Sequence, residues 1–449
     1  MSNLLRKFMA FGSALALASI VVFGAQADDD YSAAANATYS KDIAPVLQEN
    51  CQGCHRPGQI GPMSLMSYKE TRPWAKAIKK AVVDRTMPPY FAHPSSFAMK
   101  GDLNLTDEEV AKVVAWVDRG APEGDRADLP EPRSFETFEG GWALKTPDMV
   151  LQPAEPFLVG KEVDDEYRCY AVPLGLDHDI WLKGAEFKPG NSQVVHHFIL
   201  FEDKINRFAA LDAATPEPGV ECADMEKVLI GTNVLKMWAP GNIQPLSPRG
   251  IGNKITAGSN LILQIHYHNT TGDDALDHSS FALHLAQPDE TIQKQVRSQL
   301  VNQMNINIKA GDPNSRHEAI VVTKEPITIY GSGVHMHYRG KDMGLWMTEP
   351  GKEEETVLWV PNYDFNWQLS YEFAEPRSVP AGTIFKMVSH HDNSAVNPFN
   401  PDPTKDIHFG LETSNEMAFS GYGYTIDSEQ LNITPQLPVK RHIAAGAGE

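Results

Sequence analysis

Apolar positions along this chain follow three different spacings, one after another. The first is unbroken. An apolar run of about 16 residues, Phe8–Phe23, follows Arg6 and Lys7 and ends at Ala25-Gln26-Ala27. A positive start, a short apolar run and an A-x-A site predict a signal peptide over 1–27, cut before Asp28. The run is shorter than the ~20 residues that span a bilayer, and no later stretch is apolar enough to do so. The second spacing is helical. Ser40 is expected to cap a helix that runs toward Cys51, and a second helix is expected from Tyr68 to about Asp84. Thr106 and Glu109 have the spacing of a capping box. Val110, Val113, Val114 and Val117 then recur at helical intervals, and Gly120 stands where a helix would stop. A small helical domain is predicted over 37–122.

The segment 123–147 is rich in Pro, Gly and acids and reads as a linker. Beyond it the spacing changes again. Short apolar runs (193–202, 260–268, 327–338 and 384–389) alternate with turn clusters such as Lys188-Pro189-Gly190-Asn191 and Ala257-Gly258-Ser259-Asn260. That texture predicts antiparallel β-sandwiches. The length favours two, over 148–288 and 289–430, with a tail over 431–449.

Charge changes this picture little. The formal net charge is −19, from 39 basic and 58 acidic residues. A nucleic-acid binder needs a basic surface, so that partner class is set aside. The four cysteines say more. Cys169 and Cys222 remain as a pair once Cys51 and Cys54 are assigned to a motif, and in an oxidising compartment a disulfide is expected. The predicted location is the periplasm or outside a bacterial cell.

Cys51-Gln52-Gly53-Cys54-His55 is C-x-x-C-H. Two thiols at this spacing can form thioethers to the two haem vinyl groups, and the adjacent imidazole can ligate the iron. One covalent haem c is expected. Met87, held in an extended loop by Pro88-Pro89, is the candidate sixth ligand, with Met63, Met66 and Met99 as competitors. The surrounding pattern, through Arg85-Thr86-Met87-Pro88-Pro89 and Trp116-Val117-Asp118-Arg119-Gly120-Ala121-Pro122, resembles bacterial mono-haem cytochrome c domains.

Three histidine groupings follow: His196-His197, His266 with His268, and His335 with His337. Imidazole is a common ligand for copper, zinc and iron. Residues i and i+2 share a strand face, so His335 and His337 are expected to project together, opposite Val334, Met336 and Tyr338. Adjacent His196 and His197 normally point apart. Both can reach one metal if the strand bulges or if they use different ring nitrogens.

The order H-H, L-Q-x-H-Y, H-x-H, E-M is similar to that of the copper type II, ascorbate-dependent monooxygenases. Their best-known members are peptidylglycine α-hydroxylating monooxygenase and dopamine β-monooxygenase. The resemblance runs from Tyr167-Arg168-Cys169-Tyr170 through Trp238-Ala239-Pro240-Gly241 and 263–269 to about Tyr424. It implies two jelly-roll-like sandwiches and two copper ions. It implies His196, His197 and His266 as ligands of an electron-transfer copper, and His335, His337 and Met417 as ligands of an oxygen-binding copper and hence as the catalytic residues. It also implies a Cys169–Cys222 disulfide in the first sandwich. His268 is not a family ligand position, although it shares a strand face with His266 and a ligand role is the alternative; His390 and His391 read as structural, with contact to the second copper or to substrate as the alternative.

The expected function is copper-dependent hydroxylation of a C–H bond with O2, the fused haem delivering electrons from an ascorbate-like reductant or a periplasmic redox protein. Where the peptide-processing relative has a carboxylate-binding arginine, this chain has Gly333. Phe419 and Gly421 replace a polar pair, so a small apolar or aromatic substrate is expected. A haem and copper electron-transfer or copper-binding protein without oxygenase activity is the alternative. One C-x-x-C-H argues against a di-haem peroxidase, and the Met417 thioether argues against a zinc hydrolase.

Overall fold

The computed structural model describes residues 36–135, 137–163, 166–222, 232–240, 245–269, 271–410 and 412–438. The expected signal peptide, 1–27, lies outside them. Among the described residues no helix is long and apolar enough to cross a membrane. The chain has a small helical N-terminal part and a mostly β body built from several sheets. Contacts divide it into two compact units. One holds 36–52, 64–87 and 105–132; the other holds 53–63, 88–104 and the described residues from Arg133 onward.

In the first unit, Tyr39–Ile43 and Ala44–Asn50 form one continuous helical stretch that ends at Cys51. Ser40 does not cap it. Its hydroxyl lies inside the stretch and donates to Glu123 O at 2.9 Å, and Thr38 precedes the first turn instead. The expected helix from Tyr68 is broken into Tyr68–Thr71, a tight turn Arg72–Trp74 and Ala75–Val83. Pro73 supplies no N–H to the ladder, which accounts for the break. Asp107–Asp118 matches its expectation closely. Glu109 N donates to Thr106 Oγ1 at 3.2 Å and Thr106 N to Glu109 Oε2 at 2.8 Å, a complete capping box. Gly120 ends the helix with φ +86°, where a side chain would be strained. The helix is anchored by Val113 and by Trp116, which is fully buried and donates its indole N–H to Pro122 O.

Two large hydrophobic cores lie among the described residues of the second unit. The first lies among the strands of two five-stranded sheets. One has the order Met149–Leu151, Ser280–Leu285, Ile180–Lys188, Ile251–Ile255, Lys294–Gln295. The other has the order Val220–Glu221, Glu166–Pro173, Asn260–Tyr267, Val195–Asp203, Thr232–Trp238. Leu182, Phe281 and Leu283 meet Phe198, Leu200, Leu263 and Ile265 between them. Every pairing is antiparallel except Lys294–Gln295 with Ile251–Gly252, which is parallel and corrects the all-antiparallel expectation. Those two residues reach the sheet from a connection rather than from a hairpin, so their direction is not reversed.

The second core lies among two four-stranded sheets: Arg297–Asn302, Phe419–Ile426, Ile327–His335, Ser370–Val379, and Ser315–Val322, Ile384–His391, Gly340–Thr348, Glu354–Val360. Ile329, Leu345, Phe373, Phe385, Met387 and Tyr422 fill it.

The segment 88–104 packs with this second core, which interrupts the expected continuous helical domain 37–122. His93 N donates to Trp359 O, Phe97 N to Val357 O, Lys100 N to Glu372 O and Ala374 N to Ala98 O. Phe97 and Met99 pack with Phe373. Glu354–Val360 and Ser370–Val379 are the edge strands of their sheets, so this strap satisfies main-chain groups that would otherwise be open to strand pairing. Two other expected connections also carry packed residues. In the linker, Trp142 is buried, and Ala143 and Leu144 donate their N–H groups to Glu186. In the tail, Ile433 pairs with Ile292, while 439–449 lie outside the described residues.

Candidate metal centres

The first histidine cluster is made by a one-residue irregularity. In Val195–Asp203, Val195 pairs with Tyr267 and His197 with His266, so His196 is one extra residue in the register. A bulge of this kind turns its residue toward the neighbouring face. Of the two routes open to adjacent histidines, the chain takes the bulge, and all three rings present the same nitrogen. His196 Nδ1 is 3.0 Å from His266 Nδ1 and 3.3 Å from His197 Nδ1, and His266 Nδ1 is 3.3 Å from His197 Nδ1.

Hydrogen bonding cannot satisfy this triangle. Each Nδ1 either donates or accepts in a given tautomer, so at least one of the three edges must set like against like. His196 Nε2 lies 2.9 Å from Asn366 O. A carbonyl only accepts, so the proton sits on Nε2 and Nδ1 carries a bare lone pair. Burial, then the neighbouring histidines, push the His197 and His266 pKa values well down, which disfavours a charged form of either ring. Three ligand nitrogens ~2 Å from a common ion stand roughly 3.3–3.5 Å apart, close to the observed spacings. The residues therefore fit a cation at this cluster.

Tyr167 stacks on His266 at 4.1 Å. Two residues back along that strand, Gln264 donates toward both sulfurs of the Cys169–Cys222 disulfide. The strand ends at Tyr267, and His268 stands outside the cluster.

The second grouping uses the opposite ring nitrogens. The strand Ile327–His335 stops at the first histidine, so the pair straddles a strand end instead of sharing a strand face. The His335 and His337 rings still lie 5.2 Å apart, almost perpendicular. His335 Nδ1–H donates to Gln368 Oε1 at 2.7 Å, and His337 Nδ1–H to Asn415 O at 3.2 Å. Protonated Nδ1 atoms make each Nε2 the acceptor nitrogen, the form in which an imidazole ligates a metal in the usual outer-sphere arrangement. Burial pushes the His335 pKa down.

Met417 is buried, and the carboxylate beside it ties its segment to the pair. Glu416 accepts from the main-chain N–H groups of His337, Arg339 and Met417. Burial pushes the Glu416 carboxyl up to about 7, against these donors and the Arg339 charge. His391 donates to Met417 O at 3.1 Å, and His390 pairs with Asp342.

At the C-x-x-C-H motif, neither Cys51 nor Cys54 is joined in a disulfide. Burial pushes the Cys54 thiol up and the His55 imidazole down. His55 Nδ1 lies 3.3 Å from Met63 O, which accepts its proton and leaves Nε2 available. Gly61 closes the turn by donating to Cys54 O. Two thiols outside any disulfide and an oriented imidazole fit a covalently held haem. Met87 is half-buried, its N–H donating to Ala81 O. The competitor Met99 is taken up in the second core.

Residues 40–120 match the cytochrome c family model. The chain is 23% identical to MOXD1 homolog 1 of Drosophila melanogaster over 63% of its own length and 43% of that protein's. It is 22% identical to the human DBH-like monooxygenase protein 1 over 74% of its own length and 56% of that protein's. This chain carries a cytochrome c domain joined to a region related to the DBH-like monooxygenases. It spans about half the length of these curated relatives. A solved structure of a protein from Eubacterium rectale overlaps 60% of this chain and 71% of that one, at 10% identity and a TM-score of 0.20, too low for an argument. The cytochrome c match implies haem c, which agrees with two cysteines outside any disulfide and with the His55 orientation.

Sequence reasoning missed the residues around the histidines: Phe365, Asn366, Gln368 and the main-chain role of Glu416. They lie in irregular stretches where no periodicity or motif marks them.

Proposed function

We propose that this protein is a copper-dependent monooxygenase, exported to an oxidising compartment, that hydroxylates a C–H bond of a small apolar or aromatic molecule. The balance is R–H + O2 + 2 e⁻ + 2 H⁺ → R–OH + H2O, with an external reductant supplying electrons through the haem. The observation that carries this reading is the pairing of an unsatisfiable Nδ1 triangle with a second histidine pair whose Nδ1 atoms are already occupied. The homology to monooxygenases supports the reaction class. Bound copper would supply one-electron chemistry with O2.

His196, His197 and His266 would hold one ion, and His335, His337 and Met417 the other. A soft thioether favours Cu(I). The chain's own residues position these donors. Asn366 O, Gln368 Oε1 and Asn415 O each take a ring N–H and so fix which nitrogen faces inward. For the haem, Cys51 and Cys54 would form the thioethers, and His55 and Met87 would be the axial ligands. Arg56, whose guanidinium lies over the Phe135 ring and whose buried Nε has no hydrogen-bond partner among the described residues, would be available to an anionic haem edge.

Substrate class follows from the wall beside the second pair. Phe419 is the cross-strand partner of His335, so the two side chains share a face, and Phe409 stacks on Phe419 at 6.1 Å. Gly333 and Gly421 face each other across the same strands and offer no charge. The two sheet pairs are read here as jelly-roll-like sandwiches, 148–288 and 289–430, that carry one copper each.

Metal analysis of purified protein, joined to O2 uptake with ascorbate, tests the proposal. Two coppers and one haem per chain are expected, with oxygen consumption and hydroxylated product lost in His335→Ala. Zinc in place of copper overturns the copper reading. Copper with no oxygen uptake coupled to product, over a panel of small aromatic and aliphatic compounds, overturns the oxygenase reading in favour of electron transfer.

A further inference from the structure

One short turn, Asp364–Leu369, touches both histidine groupings. Its Asn366 carbonyl takes the Nε2–H of His196 from the first. Its Gln368 side-chain carbonyl takes the Nδ1–H of His335 from the second. The Gln368 amide donates to Phe365 O at 3.1 Å, which fixes the amide orientation and keeps its oxygen toward His335. Phe365 lies between the groupings, its ring centroid 6.2 Å from His196, 6.4 Å from His266 and 6.2 Å from His337. Asp364 Oδ1 accepts from both the main-chain and side-chain N–H of Asn366. Just before the turn, the Tyr363 hydroxyl holds both main-chain groups of Met336, the residue between the two histidines of the pair.

We propose that this turn couples the two sites, so that copper held at one histidine grouping raises the affinity of the other. The proposal rests on the copper reading given above. The two hydrogen bonds act on imidazoles through the nitrogen a metal does not use, so Asn366 and Gln368 are positioning residues, and Phe365 acts by ring packing alone.

The physical basis is shared ordering. A metal at the first cluster requires His196 in one orientation, and Asn366 O is set by the turn that holds that orientation. The same turn presents Gln368 to His335. Fixing a backbone costs roughly 1–2 kcal/mol of conformational entropy per residue. The first ion to bind supplies most of that ordering, and the second meets a turn already in place. Linkage makes the effect reciprocal. Phe365 adds a steric element, since its ring contacts histidines of both groupings.

Copper(I) affinities measured on the full-length, haem-loaded protein by competition with a chromophoric chelator test this. The first cluster is read alone in His335→Ala/His337→Ala, and the second alone in His196→Ala/His266→Ala. Coupling predicts that each isolated grouping binds copper about 10-fold more weakly than in the intact protein, within the usual range for linked sites. Phe365→Ala should remove most of that difference. Gln368→Leu should lower affinity at the second grouping by about 10-fold or more, as loss of an outer-sphere acceptor does, and Gln368→Glu, which keeps an acceptor, should restore it. A second measurement does not depend on variants. In wild-type protein, amide exchange over 364–369 should slow when the first equivalent of copper binds.

Equal affinities with and without the other grouping, or exchange unchanged by the first equivalent, overturn the coupling while leaving two copper sites. A wild-type protein that binds no copper at all overturns the copper reading itself.

Discussion

Glu416 holds the main chain of His337: its Oε2 accepts the His337 N–H at 2.9 Å and the Met417 N–H at 3.2 Å. One buried carboxylate thus sets the distance between the strand end that carries the histidine pair and the segment that carries the thioether. Its other oxygen accepts Arg339 N at 2.6 Å. A glutamine offers only one acceptor and turns an NH2 toward main-chain N–H groups. Glu416→Gln is expected to destabilise the fold by about 1–3 kcal/mol, the cost of leaving a buried donor unmade. Copper loading at the second grouping should fall with it. Urea unfolding and metal titration measure both, and wild-type values in each would remove the tie proposed for this residue.

A pH effect follows from Glu186. Burial alone would raise its pKa, but His284 Nε2 at 2.7 Å and the main-chain N–H groups of Ala143 and Leu144 hold it below the usual carboxylate range. A depressed folded pKa gives stability that is present above the unfolded value and is lost as pH falls through the folded one. The contact it supports is the docking of the Trp142 segment. Amide exchange at Ala143 and Leu144, corrected for the intrinsic rate, should therefore show protection at neutral pH that is lost on acidification below the ordinary carboxylate range. Glu186→Gln should lack that protection at both pH values. Equal protection in the variant at neutral pH would assign the docking to Trp142 alone.

The haem motif depends on a glycine outside it. A Cβ on Gly61 would lie 2.6 Å from His55 Nδ1 and 2.8 Å from Cys54 O, closer than packed carbon atoms tolerate. Gly61→Ala must displace the turn that orients His55 toward Met63 O. Haem incorporation, read from the Soret band per protein after expression with the haem-attachment machinery, is expected to drop several-fold. Full incorporation with an unchanged spectrum would show that the turn relaxes without moving the imidazole.

Local rules written in the sequence account for much of this molecule. The capping box at Thr106 and Glu109 and the stop at Gly120 depend on neighbours within one helical turn, and they form as expected. The strands 195–203, 260–267, 327–335 and 384–391 fall within a few residues of their apolar runs, because alternation and turn residues act locally. The Cys169–Cys222 pair was legible from cysteine count and compartment.

Tertiary structure decided what depends on distant partners. Ser40 is a good N-cap by type, yet its hydroxyl is claimed by Glu123, 83 residues away. The strap 88–104 has no strand signature of its own and is recruited by two sheet edges that need covering. The His196-His197 pair left two geometries open. Only the register of Val195–Asp203 against Asn260–Tyr267 selects the bulge that brings three Nδ1 atoms within 3.3 Å. The turn at Phe365, Asn366 and Gln368 carries no periodicity, because its partners are histidines up to 170 residues away. The sequence by itself determined which donor atoms this protein has and which elements carry them. Their convergence, and the nitrogen each ring presents, were settled by long-range pairing, where the free energy of a position lies in neighbours that the local chain does not contain.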